Sequence, residues 1–361
     1  MLRVTLLVPY PVDRSPGQRF RVEQWLRLLP DDSVRADIRP LFSPQAFAEL
    51  YEPGLTVRKV GRTLSALTRR MHDVVASGKP DVVVLYREAF PLGPPVLEWL
   101  AERRHPVVFD FDDAIYLGDT SSANRRVAFL KAPGKTARII AGAAVTTVGN
   151  EHLSAYASQH SDRVVVLPTT LDVEEYQPSA PRAANNPLRI GWSGSPTTGA
   201  HLAAITPALR RVLERVPARL EVIGAPGFSI AGSDAVTSRA WRRETELDDV
   251  RGFDIGLMPL PDDEWSRGKC GFKALLYMAL GVPAIASPVG VNTEIIEHGV
   301  NGLHASTEDE WVEAIEQLAR DPELCSRLAT EGRKTVVERY SGQRWAPRFL
   351  EVLEEAAATR P

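Results

Sequence analysis

The sequence predicts an α/β protein built from two doubly wound parallel sheets, each covered by helices on both faces. Short apolar, β-branched runs alternate with amphipathic stretches in both halves of the chain. The runs are apolar throughout, as in strands buried on both faces of a parallel sheet. An aperiodic segment rich in Pro, Ala and Asn, residues 178–187, separates the two halves. The 361 residues suffice for two domains of about 150 residues each.

The predicted elements follow the chain in order. The predicted strands are 4–8, 82–86, 107–111, 143–148, 164–167, 188–192, 220–224, 255–258 and 284–286. The predicted helices are 19–29, 64–75, 95–103, 125–140, 200–215, 272–280, 308–320 and 345–358. The last has Trp345, Phe349, Val352 and Leu353 on one face, so it must cover an apolar surface of one domain or the other.

These elements predict four segments. An N-terminal Rossmann-like domain spans 1–172, a linker spans 173–187, a second Rossmann-like domain spans 188–342, and a C-terminal helix spans 343–361. Ligands of paired α/β sheets bind at the carboxyl ends of the strands, so we expect the site where the two domains face each other across a cleft.

Composition excludes several classes of function. The net charge is −3, from 43 basic and 46 acidic residues, which provides no global basic field for nucleic acid. Two cysteines cannot form a disulfide framework, and the first apolar run is far shorter than the ~20 residues of a membrane span. We therefore expect a soluble cytoplasmic protein, a monomer or homodimer. The basic helix near 58–70 is either a solvated face or a peripheral contact with the inner face of a membrane.

Two strand-to-helix turns have the composition of anion sites. In the first half, Gly17 opens a predicted helix that carries Arg19 and Arg21, so free amides and guanidinium groups come together. In the second half, the turn 193–199 carries two glycines and several hydroxyls, and His201 follows it. The alternatives are an ordinary loop with solvated arginines and a turn stabilised by its own hydroxyls.

The strongest local signal is the pair Lys269 and Lys273, four residues apart at the start of a predicted helix. Two cations at the positive end of a helix dipole disfavour each other and the dipole, and a bound diphosphate relieves both penalties. A solvated charged turn is the alternative. Downstream, the turn 287–294 offers amides for a sugar or phosphate, with Thr293 as the predicted N-cap and Glu294 as an acceptor for sugar hydroxyls.

Three carboxylates, Asp110, Asp112 and Asp113, directly follow a buried strand, and Arg87 and Glu88 end the preceding one. Such a group of carboxylates needs a cation, a catalytic role or solvent. The possible roles are an Asp-x-Asp metal clamp, the nucleophile of a haloacid-dehalogenase-type phosphatase, and an acid/base or hydroxyl-binding carboxylate. The phosphatase motif requires Thr or Val where Ala114 stands.

Together these residues resemble the family-4 type glycosyltransferases of the GT-B fold. The resemblance is most specific over 188–340, and its motifs lie at 190–196, 253–261, 268–273, 277–283, 286–290, 297–302 and 338–341. It is looser in the first half, at 17–21, 86–88 and 110–113. Many relatives carry a Glu-x7-Glu pair where this chain has Gly268 and Leu276, and an acceptor-side histidine is replaced by Asp112.

The resemblance implies a retaining transfer of sugar from a nucleotide-diphosphate sugar to an unidentified small-molecule, lipid-linked or glycan acceptor, without metal or cofactor. Lys269 and Lys273 would stabilise the leaving diphosphate, and Asp112 or Asp113 would orient the acceptor. It also implies that the last helix returns to the first domain. The predicted donor contacts are Gly17, Arg21, Ser193, Gly194, Ser195, His201, Gly290, Val291, Asn292, Thr293 and Glu294. The predicted nucleotide contacts are Trp241, Pro259 and Leu276, and the predicted acceptor-side residues are Arg19, Arg87, Glu88 and Asp110. A catalytically inactive nucleotide-sugar binder is the alternative.

Overall fold

A computed structural model describes residues 1–50, 56–76, 78–118, 132, 134–179 and 185–359. Within these ranges the chain forms two compact units. Unit 1 comprises Met1–Thr169 together with Gln343–Pro361, and unit 2 comprises Thr170–Gly342. Residues 180–184 of the predicted linker lie outside the described residues.

Unit 1 is built on a six-stranded sheet in the order β2-β1-β3-β4-β5-β6, with every neighbouring pair parallel. Its strands are β1 (Leu2–Val8), β2 (Val34–Pro40), β3 (Val82–Tyr86), β4 (Val107–Phe111), β5 (Val145–Val148) and β6 (Val164–Val166). The two central strands β3 and β4 are buried at every residue, because helices cover both of their faces. The prediction of a parallel, doubly wound sheet is confirmed.

The first helical segment of unit 1 contains a π-helical turn. Helices α1 (Pro16–Gln18) and α2 (Gln24–Leu28) are joined by π-helical Arg19–Glu23. The other helices are α3 (Pro44–Leu50), α4 (Thr56–Val75), α5 (Val96–Glu102), α6 (Lys135–Gly142) and α7 (Glu151–Ala157). Of the helix predicted over 125–140, residues 125–131 and 133 lie outside the described residues.

Unit 2 repeats the architecture with a second parallel sheet, in the order β12-β11-β10-β7-β8-β9. Its strands are β7 (Leu188–Ser193), β8 (Ala218–Ile223), β9 (Val236–Arg239), β10 (Ile255–Met258), β11 (Ala284–Ala286) and β12 (Leu303–His304). Its helices are α8 (Gly199–Ala204), α9 (Thr206–Arg215), α10 (Glu246–Arg251), α11 (Glu264–Arg267), α12 (Phe272–Ala279), α13 (Asn292–Ile295), α14 (Glu308–Arg320) and α15 (Pro322–Arg339).

The last helix, α16 (Gly342–Ala358), lies in the core of unit 1. Phe349, Val352 and Leu353 are almost fully buried among residues of β1 and β3. The Phe349 ring packs on Trp25 of α2, with 4.9 Å between the ring centroids. The first and last segments of the chain therefore build one hydrophobic core. None of the helices in the described ranges is long and apolar enough to cross a membrane.

Candidate functional site

The carboxyl end of β7 leads into the turn that the sequence singled out in unit 2. The Ser193 amide donates to the Tyr277 hydroxyl at 2.9 Å. Within the turn, the Ser195 amide donates to Thr198 Oγ1 at 3.0 Å, and the Ser195 hydroxyl lies 2.9 Å from Thr197 Oγ1. These bonds fix the shape of the turn before a ligand is bound, because its hydroxyls satisfy one another.

The ends of β7 and β8 approach each other backbone to backbone. Gly224 has a φ of +90°, and a Cβ added there would lie 2.0 Å from the carbonyl oxygen of Gly194. The Cβ added at Gly224 would also lie 3.4 Å from Cβ of Trp241, so the Trp241 side chain starts close to the turn. The half-buried Trp241 donates its ring N–H to Glu246 at 3.2 Å. Trp241 is thus oriented beside the predicted donor turn.

Three basic side chains come together at this end of unit 2. The ammonium groups of Lys269 and Lys273 lie over indole rings, at 5.6 Å from the centroid of Trp265 and 5.7 Å from that of Trp192. Burial and the positive charges of Lys269 and Lys273 lower the pKa of His201 to about 4. The structure therefore brings together two ammonium groups and a neutral imidazole that the sequence had assigned to one anion site.

The turn 287–294 packs against the segment that carries the lysines. A Cβ at Gly290 would lie 2.8 Å from the carbonyl oxygen of Arg267, so the two turns touch. Asn292 is buried and donates from its side-chain amide to Ser287 O at 3.0 Å. The close approach of Gly290 to Arg267 places the turn 287–294 beside the segment that leads into α12.

The predicted cap of α13 is wrong. The N-cap residue is Val291, and the Thr293 hydroxyl instead donates back to Gly290 O at 2.9 Å. The side chains of Thr293 and Glu294 are exposed and help to line a cavity of about 410 Å³ next to α15. Val291 is buried.

Two predicted nucleotide contacts are buried inside unit 2. Leu276, on α12, is only 1% exposed, and Pro259 after β10 is buried as well. The Leu276 side chain belongs to the core because α12 packs against β10 and β11. A nucleotide therefore finds no exposed side-chain surface at Leu276, which corrects that prediction.

A polar cluster stands at the carboxyl ends of β3 and β4 in unit 1. Arg87 donates to Asp112 at 3.0 Å and also to Asp113, and the Tyr86 hydroxyl donates to Asp112 at 2.9 Å. Gly17 lies against this cluster, since a Cβ there would be 2.7 Å from the Tyr86 hydroxyl oxygen and 3.1 Å from an Asp112 oxygen. A larger residue at position 17 would displace the cluster.

The charges of this cluster are balanced locally. Burial alone raises the pKa of Asp112, but the Arg87 and Arg21 guanidinium groups and the Tyr86 hydroxyl hold that pKa below its usual value. Arg87 has a φ of 58°, a left-handed conformation that a non-glycine residue adopts at an energetic cost. Asp112 is therefore an anion held in one orientation, with 11% of its side chain exposed.

Arg21 and Asp110 belong to the interior of unit 1 and not to an open ligand site. Arg21 donates to both carboxylate oxygens of Asp110 and to the carbonyl oxygen of Leu167, and neither side chain is more than 3% exposed. Thr147 donates a further bond to Asp110 at 2.7 Å. Arg19 is buried too, at 1% exposure. The predicted roles of Arg21 and Arg19 at a ligand are corrected, because a buried guanidinium cannot reach a phosphate in solvent.

The same contacts argue against one of the possible roles of the three carboxylates. An aspartyl nucleophile must reach its substrate, whereas Asp110 is buried and bound twice by Arg21. Asp112 and Asp113 both accept hydrogen bonds from the Arg87 guanidinium. Glu88 is 3.8 Å from the buried ammonium of Lys135. The hydroxyl-binding role of Asp112 stays a prediction.

Sequence reasoning missed the residues that support the site. Tyr277 joins two strands, since its hydroxyl accepts from Ser193 and donates to Leu257 O at 3.2 Å. Trp192 and Trp265 supply the rings under the two lysines. The tryptophan in β7 and the one just before Lys269 could have indicated these contacts, because indole faces attract cations.

Comparisons with known proteins agree on the type of domain and on the fold. Residues 266–335 match the family described as Glycosyl transferases group 1. Over 88 residues the chain is 38% identical to EpsD of Bacillus subtilis (strain 168), whose name marks it as a candidate glycosyltransferase. That alignment covers 24% of this chain and 23% of EpsD.

Similar solved structures extend over nearly the whole chain. Sucrose-phosphate synthase from Thermosynechococcus elongatus is 14% identical with a TM-score of 0.71, over 99% of this chain and 100% of that one. HepE of Anabaena, in complex with UDP and glucose, is 14% identical with a TM-score of 0.67, over 98% and 100% of the two chains. The two six-stranded parallel sheets are those of the GT-B fold, as the sequence predicted.

Proposed function

Because residues 266–335 belong to the glycosyl transferases group 1 family on a GT-B fold, we propose that this protein is a retaining glycosyltransferase. It moves a sugar from a nucleotide-diphosphate sugar to an acceptor that is a small molecule, a lipid-linked compound or a glycan. A nucleotide-sugar donor is supported by HepE, which has been solved in complex with UDP-glucose. The proposal includes a cytoplasmic location and a reaction that needs no metal.

The observation that carries the proposal is the convergence of Lys269, Lys273 and His201 in unit 2. Burial, together with the positive charges of Lys269 and Lys273, lowers the pKa of His201 to about 4. Such a site is suited to the negative charge that develops on a diphosphate as the bond to the sugar breaks. Ammonium groups and helix amides then perform the charge neutralisation for which other transferases use a divalent ion.

The neighbouring residues supply the remaining donor contacts. The turn 193–199 ends at the start of α8, where the positive end of the helix dipole favours phosphate oxygens. Trp241, next to this turn, offers an indole face to the nucleotide base. The turn 287–294, which touches the lysine segment, offers backbone amides and the exposed Thr293 and Glu294 to the sugar.

In unit 1 the acceptor is bound at the cluster of Tyr86, Arg87 and Asp112. Asp112 is ionised and held by two neighbours, so it can accept a hydrogen bond from an acceptor hydroxyl and orient its oxygen. Gly17 leaves open the space that a side chain would occupy above this carboxylate.

The test is Lys273→Ala, with Lys79→Ala as a matched control. Lys79 lies in unit 1 between α4 and β3, before the amino end of that strand, and is exposed. We expect Lys273→Ala to lower the release of nucleoside diphosphate from its sugar by ~100-fold or more, as for loss of one charge-stabilising group. The control should leave that rate unchanged. Release is measured with a panel of nucleotide sugars, after a thermal-shift screen with nucleoside diphosphates has identified the base.

A catalytically inactive nucleotide-sugar binder is the second candidate. It is favoured by Leu276, which is buried where many relatives carry a glutamate. Calorimetry and product analysis on one nucleotide-sugar panel separate the two functions. Saturable binding without release of nucleoside diphosphate would identify a binder, and release abolished by Lys273→Ala would identify the transferase.

A further inference from the structure

The outward face of α4 carries a line of large aliphatic side chains. Positions 57, 60, 64, 68, 71 and 75 follow one another at helical spacing and form one line along the solvent side. All but Thr68 are apolar. The exposed fractions are 88% for Val57, 54% for Val60, 59% for Leu64, and 49% for both Met71 and Val75. We name these five residues the α4 stripe.

The inward face of α4 holds charged residues and small apolar ones. Arg70 is fully buried and donates to Val8 O at 2.7 Å and Arg39 O at 3.0 Å, while Asp73 is 9% exposed. Ala66 and Val74 complete the buried side. The usual amphipathic arrangement puts the large aliphatic residues inside. The α4 stripe is therefore not needed to pack α4 on unit 1.

Cations flank the α4 stripe along one side. Arg58 is 64% exposed, and Arg69 is exposed one position after Thr68. Residues 56–76 contain a single acidic residue, the buried Asp73, in a chain whose net charge is −3. The basic residues of this segment are Arg58, Lys59, Arg62, Arg69 and Arg70. Arg70 is buried, and Glu49 pairs with Arg62 at 2.7 Å and with Arg58 at 3.7 Å. The five basic residues still outnumber the two carboxylates, Glu49 and Asp73, so the surface beside the exposed aliphatic side chains has a net positive charge.

The neighbouring helix α5 also exposes apolar groups. Val96 is 57% exposed and Trp99 is 44% exposed, and the guanidinium of Arg103 lies 4.6 Å from the Trp99 ring centroid. The two helices pack together, and Arg104 donates to Val75 O at 3.2 Å where α4 ends. Tryptophan and arginine side by side are typical of groups that lie at the level of lipid head groups.

We propose that α4 docks on the surface of an anionic lipid bilayer. The α4 stripe enters the boundary between head groups and acyl chains, and Arg58 and Arg69 contact lipid phosphates. This position is favoured because the aliphatic side chains leave water for the acyl chains and the arginines are attracted to the negative lipid phosphates. The proposal does not depend on sugar transfer.

Charge favours lipid over a second copy of the chain as the occupant. In a twofold dimer the same surface would face itself, so Arg58 and Arg69 would meet the arginines of the other copy. Facing like charges oppose association, whereas a surface of acidic lipids attracts every one of them.

The test is sedimentation of the full chain with vesicles of phosphatidylcholine containing phosphatidylglycerol, and with vesicles of phosphatidylcholine alone. We expect binding to the mixed vesicles to be at least tenfold stronger, and to weaken with salt. The triple change Val60→Ser, Leu64→Ser and Met71→Ser should lower it by at least about tenfold. Val300→Ser with Val337→Ser, two exposed valines of unit 2 at 44% and 41%, is the matched control and should bind as the parent does.

Two further variants keep the test independent of folding. Thr68→Leu closes the gap in the α4 stripe and should strengthen binding roughly threefold or more. Arg58→Glu with Arg69→Glu should abolish the preference for phosphatidylglycerol. Binding unchanged by the triple change, or equal on both kinds of vesicle, overturns the proposal. So does a dimer in solution that the triple change dissociates while vesicles bind nothing.

Discussion

The imidazole of His201 is kept neutral by its surroundings. Burial and the two neighbouring ammonium groups lower its pKa from 6.5 to about 4. The unfolded chain therefore binds more protons than the folded one between these two values. The free energy of unfolding should fall as the pH drops from 6.5 toward 4, and above pH 6.5 this contribution should be constant.

A diphosphate should oppose the part of that shift that the two lysines cause. Its negative charges offset those of Lys269 and Lys273, so the pKa of His201 rises and the protein takes up protons as it binds. We expect this uptake for UDP near pH 5.5, measured by calorimetry in two buffers of different ionisation enthalpy. In His201→Gln the uptake should be smaller, which separates the imidazole from the phosphate's own titration. Equal uptake in both proteins would contradict the placement of the anion beside His201.

For single residues, the sequence predicts groupings of residues that are close in the chain and misses contacts between residues that are far apart in it. Lys269 and Lys273 could be grouped because they are close in the chain, but the predicted shared helix face is wrong, since Lys269 precedes α12 and only Lys273 lies in it. Arg21 could not be assigned correctly, since its partner Asp110 lies 89 positions away and joins it only when the sheet forms. A glycine turn followed by arginines has the same composition whether the guanidinium groups face solvent or a buried carboxylate.

Among the elements, the strands that the sequence missed lie at sheet edges. β2, β9 and β12 each border one of the two sheets. β2 and β9 contain only exposed and half-buried residues, and β12 has only two residues. The central strands β3, β4 and β10 were predicted with correct bounds, because burial on both faces requires an unbroken apolar run. The fourth edge strand, β6, was found since it consists of valines alone.

Helix α16 provides a measurable contribution to unit 1. Phe349 is 2% exposed and packs on Trp25, so Phe349→Ala should lower the free energy of unfolding by about 3–5 kcal/mol. Arg348→Ala, on the solvent side of the same helix, removes surface ion pairs with Glu351 and Glu355 and should cost less than about 1 kcal/mol. Denaturant unfolding followed by circular dichroism measures both. Similar losses would mean that α16 does not contribute to the core.

For the whole molecule, the core of unit 1 is formed by segments from both ends of the chain, whereas unit 2 is continuous from Thr170 to Gly342. Removal of residues 343–361 should therefore destabilise unit 1, although most of it lies far back in the sequence, and should spare unit 2, which directly precedes these residues in the sequence. We expect limited proteolysis of the truncated protein to degrade residues 1–169 while a fragment near 170–342 persists. The full chain should resist in both units. Rapid loss of the 170–342 fragment would show that unit 2 depends on α16.

The discontinuity of unit 1 also sets an order of events during synthesis on the ribosome. β1 and β3 emerge early, but the helix that covers them is translated only after all of unit 2. At about 5–20 residues per second, that wait is on the order of ten to fifty seconds. In this protein the second unit can finish folding first, and the nascent first unit keeps an uncovered apolar surface until α16 has been made. Chaperone occupancy during translation should therefore concentrate on the earliest segment made.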